Sequence, residues 1–189
     1  MKRRAFQLIL FALVLMMAST VVYAKASPEQ QRAELNEMSG KVLERMYEKY
    51  PTAREAVQDA YAYCTISGAS VKWGFFGDDH GRGVAVNNHT EERIYVKMKE
   101  LSLGINFGAK EYDLLFIIAN KKAWDRFVSG NIKFGAETSA DATDGVNGVS
   151  YAGAEMAAEG VQVYQLDKKG LAIEATFKGG KISPYKTLN

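Results

Sequence analysis

Two histidines, His80 and His89, a single cysteine, Cys64, and the acidic pair Asp78-Asp79 are the residues best suited by type to bond chemistry. Their spacing does not assemble it. No set of Cys, His and carboxylates has metal-ligand spacing, so neither a metal nor another cofactor is expected. Asp78-Asp79-His80 lies within FFGDDHGRG, where Asp and Gly serve a tight turn between two strands. The same run lacks the Gly-Lys-Ser/Thr ending of a phosphate-binding loop and leads into a strand, not a helix. Ser67, Ser70, Ser102, Ser129, Ser139 and Ser150 stand in no nucleophile-elbow context. Cys64, between Tyr63 and Thr65 on a predicted strand, reads as a small buried hydrophobe. Without a convergent acid, base and nucleophile, an enzyme is the least supported class.

The chemistry that remains is binding. Glycines recur at Gly74, Gly77, Gly81, Gly83, Gly104 and Gly108 among short apolar segments; glycine inside a strand marks a bulge, a bend or the close approach of another backbone or a ligand. Basic residues at Lys97, Lys99, Lys110, Lys121, Lys122, Arg126, Lys168, Lys169, Lys178 and Lys181 have two readings. They are either scattered solvated lysines or a patch for anionic lipid, worth about 1 kcal/mol per charge near a membrane surface.

The elements that must position these residues start at Ser27-Pro28-Glu29-Gln30, a capping box with proline at the first helical position. A helix is predicted from Pro28 to Glu48, with Leu35, Met38, Val42, Met46 and Tyr50 in one apolar stripe. Pro51 ends it, and Thr52 with Glu55 forms a second capping box that opens a helix from Ala53 to Tyr61. The period then changes to that of strands, near Ala62 to Ser67, Val71 to Phe76, Gly83 to Val86, Arg93 to Met98, Leu101 to Phe107 and Tyr112 to Ala119. Asn120 caps a helix from Lys121 to Ser129 that Gly130 stops. Strands return at Asn131 to Glu137 and Ser150 to Ala158, the latter with helix as a competitor, around a loop at residues 140–148. Val161 to Leu166 and Leu171 to Phe177 form a hairpin. The expected class is α+β: a β-rich barrel or sandwich of short Gly-punctuated antiparallel strands with N-terminal helices and one inserted helix.

Residues 1–24 have the form of a secretory signal: Lys2, Arg3 and Arg4, an apolar stretch from Phe6 to Met17, and Val22-Tyr23-Ala24 as a cleavage site. A periplasmic or secreted protein follows, with a helix in 25–51 and a β-rich domain in 52–189. Without the three leader cations, the 24 basic residues fall to 21 against 22 acidic ones, which gives no strong basic excess for nucleic acid. One cysteine allows no internal disulfide, so the core alone holds the fold. About 165 residues suffice for one well-buried domain.

From Ala53 to Asn189 the chain resembles the SYLF domain family. The resemblance rests on Tyr61 to Thr65, the glycine-rich turn from Gly74 to Gly83, Tyr95-Val96-Lys97-Met98, and Gly104-Ile105-Asn106-Phe107-Gly108. It continues through Tyr112 to Ala119, Phe134-Gly135-Ala136, Val163-Tyr164-Gln165-Leu166, Gly170-Leu171-Ala172 and the closing Leu188-Asn189. It is similar to the secreted bacterial branch, with Arg93 to Met98 where the eukaryotic branch carries a Trp-Ser-Pro element. The resemblance implies lipid or membrane-surface binding without catalysis; fungal members bind actin. The expected site is Lys97, Lys99 and Lys110 on the head groups of anionic phospholipid. Trp73, Phe75 and Phe76 lie beside the apolar part, and Gly74, Gly77, Gly81 and Gly83 form the turn. The alternative is an envelope module for protein partners or self-assembly. The leader reading predicts that N-terminal sequencing of the exported protein starts at Lys25; a start at Met1 would contradict it.

Overall fold

The computed structural model describes residues 26–73, 76–99, 107–130, 132–135, 151–168 and 179–189. The expected leader, Gly74 and Phe75, the expected loop at 140–148 and the expected strand at Leu171 to Phe177 lie outside them, as does the segment 101–106. The described residues form three helices and eight strands.

Helix α1 (Pro28–Lys49) begins as its sequence dictates: the Ser27 hydroxyl accepts from the Gln30 amide, and the Gln30 side chain accepts from the Ser27 amide. Helix α2 (Ala53–Asp59) follows, but Thr52 does not cap it. Its hydroxyl is taken by the Ala152 carbonyl at 2.8 Å and the Tyr164 hydroxyl at 3.1 Å. A tertiary partner thus overrides the local capping box.

The strands are β1 (Ala62–Trp73), β2 (Phe76–Asn87), β3 (Arg93–Lys99), β4 (Phe107–Ile118), β5 (Lys133–Gly135), β6 (Glu155–Ala158), β7 (Val161–Asp167) and β8 (Gly179–Pro184), with helix α3 (Lys121–Ser129) between β4 and β5. All pair antiparallel in one sheet, in the order β5-β8-β3-β2-β1-β4-β7-β6. Two expectations are corrected. The strands are not all short: β1, β2 and β4 each run for 12 residues. The supposed turn from Gly74 to Gly83 is mostly strand, for Gly77, Asp78, Asp79, His80, Gly81 and Gly83 all pair with β1. Local composition favoured a turn, but β1 supplies backbone partners along the whole of β2 and β3 adds them from His80 onward, and unpaired strand amides are costly.

The sheet curls until its edge strands β5 and β6 lie close to one another. Its inner face carries a single cluster drawn from seven strands and α3, including Cys64, Ile66, Val96, Met98, Leu114, Phe116, Val163 and Ile182 with Trp124 and Phe127. Phe116 and Phe127 meet edge to face, 5.4 Å between centroids. Burial pushes the Cys64 thiol up, so it stays protonated as the small hydrophobe expected. The α3 ends are also as expected: Asn120 accepts from the Ala123 amide, and Gly130 turns left-handed with φ of 76°.

Three glycines make the curl compatible with packing. A Cβ on Gly68 would collide with the His80 carbonyl oxygen and stand 2.6 Å from the Tyr112 hydroxyl. One on Gly81 would stand 2.7 Å from Cγ2 of Ile66, and one on Gly83 would collide with the Thr65 carbonyl oxygen. The space these glycines leave is therefore filled by Tyr112 and Ile66, both fully buried, and an aromatic ring over strand glycines restores the packing they lack.

Helices α1 and α2 cover part of the outer face. Val42 and Met46 of α1 pack with Ala53, Ala56 and Val57 of α2 against Leu115, Ile117, Tyr164 and Leu166. Arg45 donates through Nε at 2.8 Å and Nη2 at 2.6 Å to the fully buried carboxylate of Asp113 on β4. Breaking a buried pair of this kind strands a charge and costs about 3–5 kcal/mol. The other end of α1 is fixed by the C-terminal residues. Leu188 is buried with Val84, Val86 and Tyr95, and its carbonyl accepts from Arg32 Nε at 2.7 Å. The Asn189 amide accepts from the Tyr95 N–H at 2.8 Å and donates to the Tyr95 carbonyl at 2.9 Å, as a neighbouring strand would.

Gly68→Val and Gly83→Val are expected to destabilise by about 2 kcal/mol or more, because no low-energy rotamer fits. Gly40→Ala on the exposed side of α1, where nothing lies within 4 Å, should stabilise by roughly 0.5–1 kcal/mol. Chemical denaturation of the three variants checks the contrast.

Candidate functional site

Register sorts the basic residues by rung. One rung of the outer face runs Ser183 (β8), Lys97 (β3), Arg82 (β2), Ser67 (β1), Asp113 (β4); the next runs Lys181, Lys99, His80, Ala69, Glu111. Arg82 therefore stands directly opposite Lys97, and Lys99 directly opposite Lys181. Like charges so placed repel. Among the described residues, none of these four cations has an ion-pair partner; Lys97 alone has a compensating contact, 5.6 Å over the Tyr185 ring. Arg82, Lys99 and Lys181 are exposed.

Four other basic residues behave differently. Lys121 bonds Asp125 at 2.7 Å, Lys168 reaches Glu111 at 3.2 Å, and Lys122 and Arg126 both hold Glu159. The hydrogen bonds from Lys122 and Arg126 keep the Glu159 carboxyl below the usual range. These are ordinary surface pairs of small energy. The structure thus separates neutralised lysines from a concentrated, uncompensated set on β2, β3 and β8.

Of the expected site residues, Lys97 and Lys99 are brought together. Lys110 is not: it pairs with Ser70, while the Lys99 rung ends on Glu111, because neighbouring residues of a strand belong to opposite faces. Arg82 is the member that sequence reasoning missed, and Lys181, one of the ten basic candidates, was not placed beside Lys99. Arg82 sat in a supposed turn, and Lys181 lies about 80 positions from Lys99 in a strand that had not been assigned.

Trp73 pairs with Phe76 on one side and Phe107 on the other, so three aromatic positions share one rung at the end of β1, β2 and β4. Phe75 and Gly74 fall outside the described residues, between the two paired strands. Four residues separate the Phe76 rung from that of His80 and Lys99, about 13 Å at strand rise. Trp73 and Phe76 therefore occupy one level of the sheet and the lysines of β3 another, with Phe107 added to the aromatic level.

Beside α1 the outer face also forms a groove of about 250 Å³, lined by Gln31, Glu34, Leu35, Met38, Ser67 and Arg82. Its helical members recur at spacings of three and four, one face of α1. Among the described residues no group of three or more His, Cys, Asp or Glu is placed to hold a metal, and no helix is long and apolar enough to cross a membrane.

Replacing Lys99 by Glu turns a repelling pair into an attracting one. Lys99→Glu should raise the melting midpoint by about 1 °C at low salt, with the gain vanishing in high salt; a clear loss of stability would show that the cations do not repel.

A curated relative, beta cell expansion factor A of Aeromonas veronii, is 27% identical over 160 residues, which make up 81% of this chain and 57% of that protein. The chain thus spans little more than half of that relative's length. Residues 99–189 match the family model Ysc84, described as Las17-binding protein actin regulator. The match starts at the end of β3, yet β1 to β3 pair in the same sheet as the strands it covers. Over residues 99–189, a little under half of its length, the chain is thus similar to the Ysc84 (SYLF) family.

Proposed function

We propose that this protein is a non-catalytic binder of anionic membrane surfaces, exported to the bacterial cell envelope after cleavage behind Ala24. The observation that carries the reading is the set Arg82, Lys97, Lys99 and Lys181: four cations in two adjacent rungs, two like-charged pairs face to face, and no acidic partner among the described residues. Such an arrangement costs the isolated fold and is relieved by an anion. A lipid head-group layer supplies many, each cation near it contributing about 1 kcal/mol. The aromatic rung of Phe107, Trp73 and Phe76 supports the same orientation, since aromatic residues favour the boundary between head groups and hydrocarbon. In this reading the tip of β1, β2 and β4 meets the lipid first and the cations follow at head-group level. The likeness to the Ysc84 family over residues 99–189 supports binding in place of catalysis, and the leader-like pattern of residues 1–24 supports export.

The test is co-sedimentation with vesicles of neutral phosphatidylcholine and of anionic phosphatidylglycerol, at low and near-physiological salt. Binding should need the anionic lipid and weaken with salt. The double variant Lys97→Glu, Lys99→Glu should bind at least thirtyfold more weakly, from about 2 kcal/mol for two lost attractions, while Lys122→Glu on α3 stays near wild type. Binding that is absent, or equal on both vesicles, would overturn the proposal and direct attention to a protein partner.

A further inference from the structure

The groove beside α1 carries a second kind of recognition. Its two charged walls have opposite sign: Glu34 from the helix and Arg82 from β2. They do not pair with each other, and neither has another ion-pair partner among the described residues. Other charges of α1 are satisfied close by, Glu29 with Arg32, Glu37 with Lys41 and Arg45 with Asp113. The groove is also lined by Leu35 and Met38, both half-buried, with Gln31 and Ser67 as neutral hydrogen-bonding groups. The space, about 250 Å³, equals roughly eight water volumes.

We infer that this groove binds the head group of a zwitterionic phospholipid bearing a primary ammonium, of the phosphoethanolamine type. The charges of the groove complement those of the ligand. The phosphate diester meets Arg82, whose guanidinium presents a planar fork suited to phosphate oxygens. The ammonium, a few bonds away, donates to the Glu34 carboxylate and to the Gln31 side-chain oxygen. The glycerol and the first methylenes lie along Leu35 and Met38. A choline head group has no N–H to donate, and a glycerol head group has no positive charge for Glu34, so both fit less well. The inference rests on the membrane-binding reading and deepens it: the rungs of Lys97, Lys99 and Lys181 respond to the charge of the surface, and the groove beside them to the identity of one lipid within it.

The test uses soluble dihexanoyl phosphatidylethanolamine, phosphatidylcholine and phosphatidylglycerol below their aggregation concentrations, each titrated into the protein and followed by amide NMR. The expected result is a set of shifts confined to residues 31–38, Ser67 and Arg82, with the ethanolamine lipid binding most tightly. Glu34→Gln should weaken that lipid about tenfold, leave the glycerol lipid unchanged, and leave sedimentation with anionic vesicles undiminished. Arg82→Gln should weaken all three. Equal affinities for the three head groups, shifts elsewhere, or indifference to Glu34→Gln would overturn the inference while leaving the vesicle result standing. If vesicle binding fails but the ethanolamine lipid still selects the groove, the surface reading falls and the groove remains.

Discussion

Everything in this molecule depends on how tightly neighbouring strands can approach at Gly68, Gly81 and Gly83. A sheet twists by default, but bending until its edge strands meet brings backbone against backbone at points where a Cβ does not fit. Removing three side chains from adjacent positions of β1 and β2 permits the bend. Tyr112 and Ile66 then fill the space over these glycines. The curl also decides what the outer face can do, because a bent surface can be only partly covered by a straight helix.

Helix α1 covers that face obliquely. It is fixed near β4 by Arg45 and Asp113, and near β3 by Asn36, which donates to the Tyr95 hydroxyl, and by Arg32 on the Leu188 carbonyl. Between these points the Ser39 hydroxyl accepts from Thr65 at 2.7 Å. The helix leaves uncovered the outer positions Arg82, Lys99 and Lys181. Charge among the described residues follows this coverage in part: Lys121, Lys122, Arg126 and Lys168 meet carboxylates, and Arg82, Lys99 and Lys181 do not. The near-neutral composition of residues 25–189 hides this contrast.

Much of the fold was legible in the sequence, and the misses have common causes. The ends of α1 and α3 follow from local chemistry, the Ser27-Gln30 box, the Asn120 cap and the left-handed Gly130, which distant residues do not disturb. Thr52 failed as a cap because its hydroxyl has better partners in Ala152 and Tyr164. The run FFGDDHGRG was read as a turn because glycine and aspartate favour turns locally; from Phe76 on, β1 supplies the ladder that makes it strand, joined by β3 from His80. Lys97 and Lys99 were legible as candidates, but alternation excludes Lys110 from their rung. Arg82 and Lys181 could join them only through register, which long-range pairing sets and local composition does not.

The central claim is that the outer face of β2, β3 and β8 meets the lipid. Because Cys64 is buried, a single environment-sensitive fluorophore can be placed on Lys99→Cys, and in a second variant on Lys122→Cys of α3, the helix that packs on the opposite face of the sheet. The account predicts a blue shift on adding anionic vesicles for the label at position 99 and none for that at 122. A shift at 122 alone, or equal shifts at both, would contradict it.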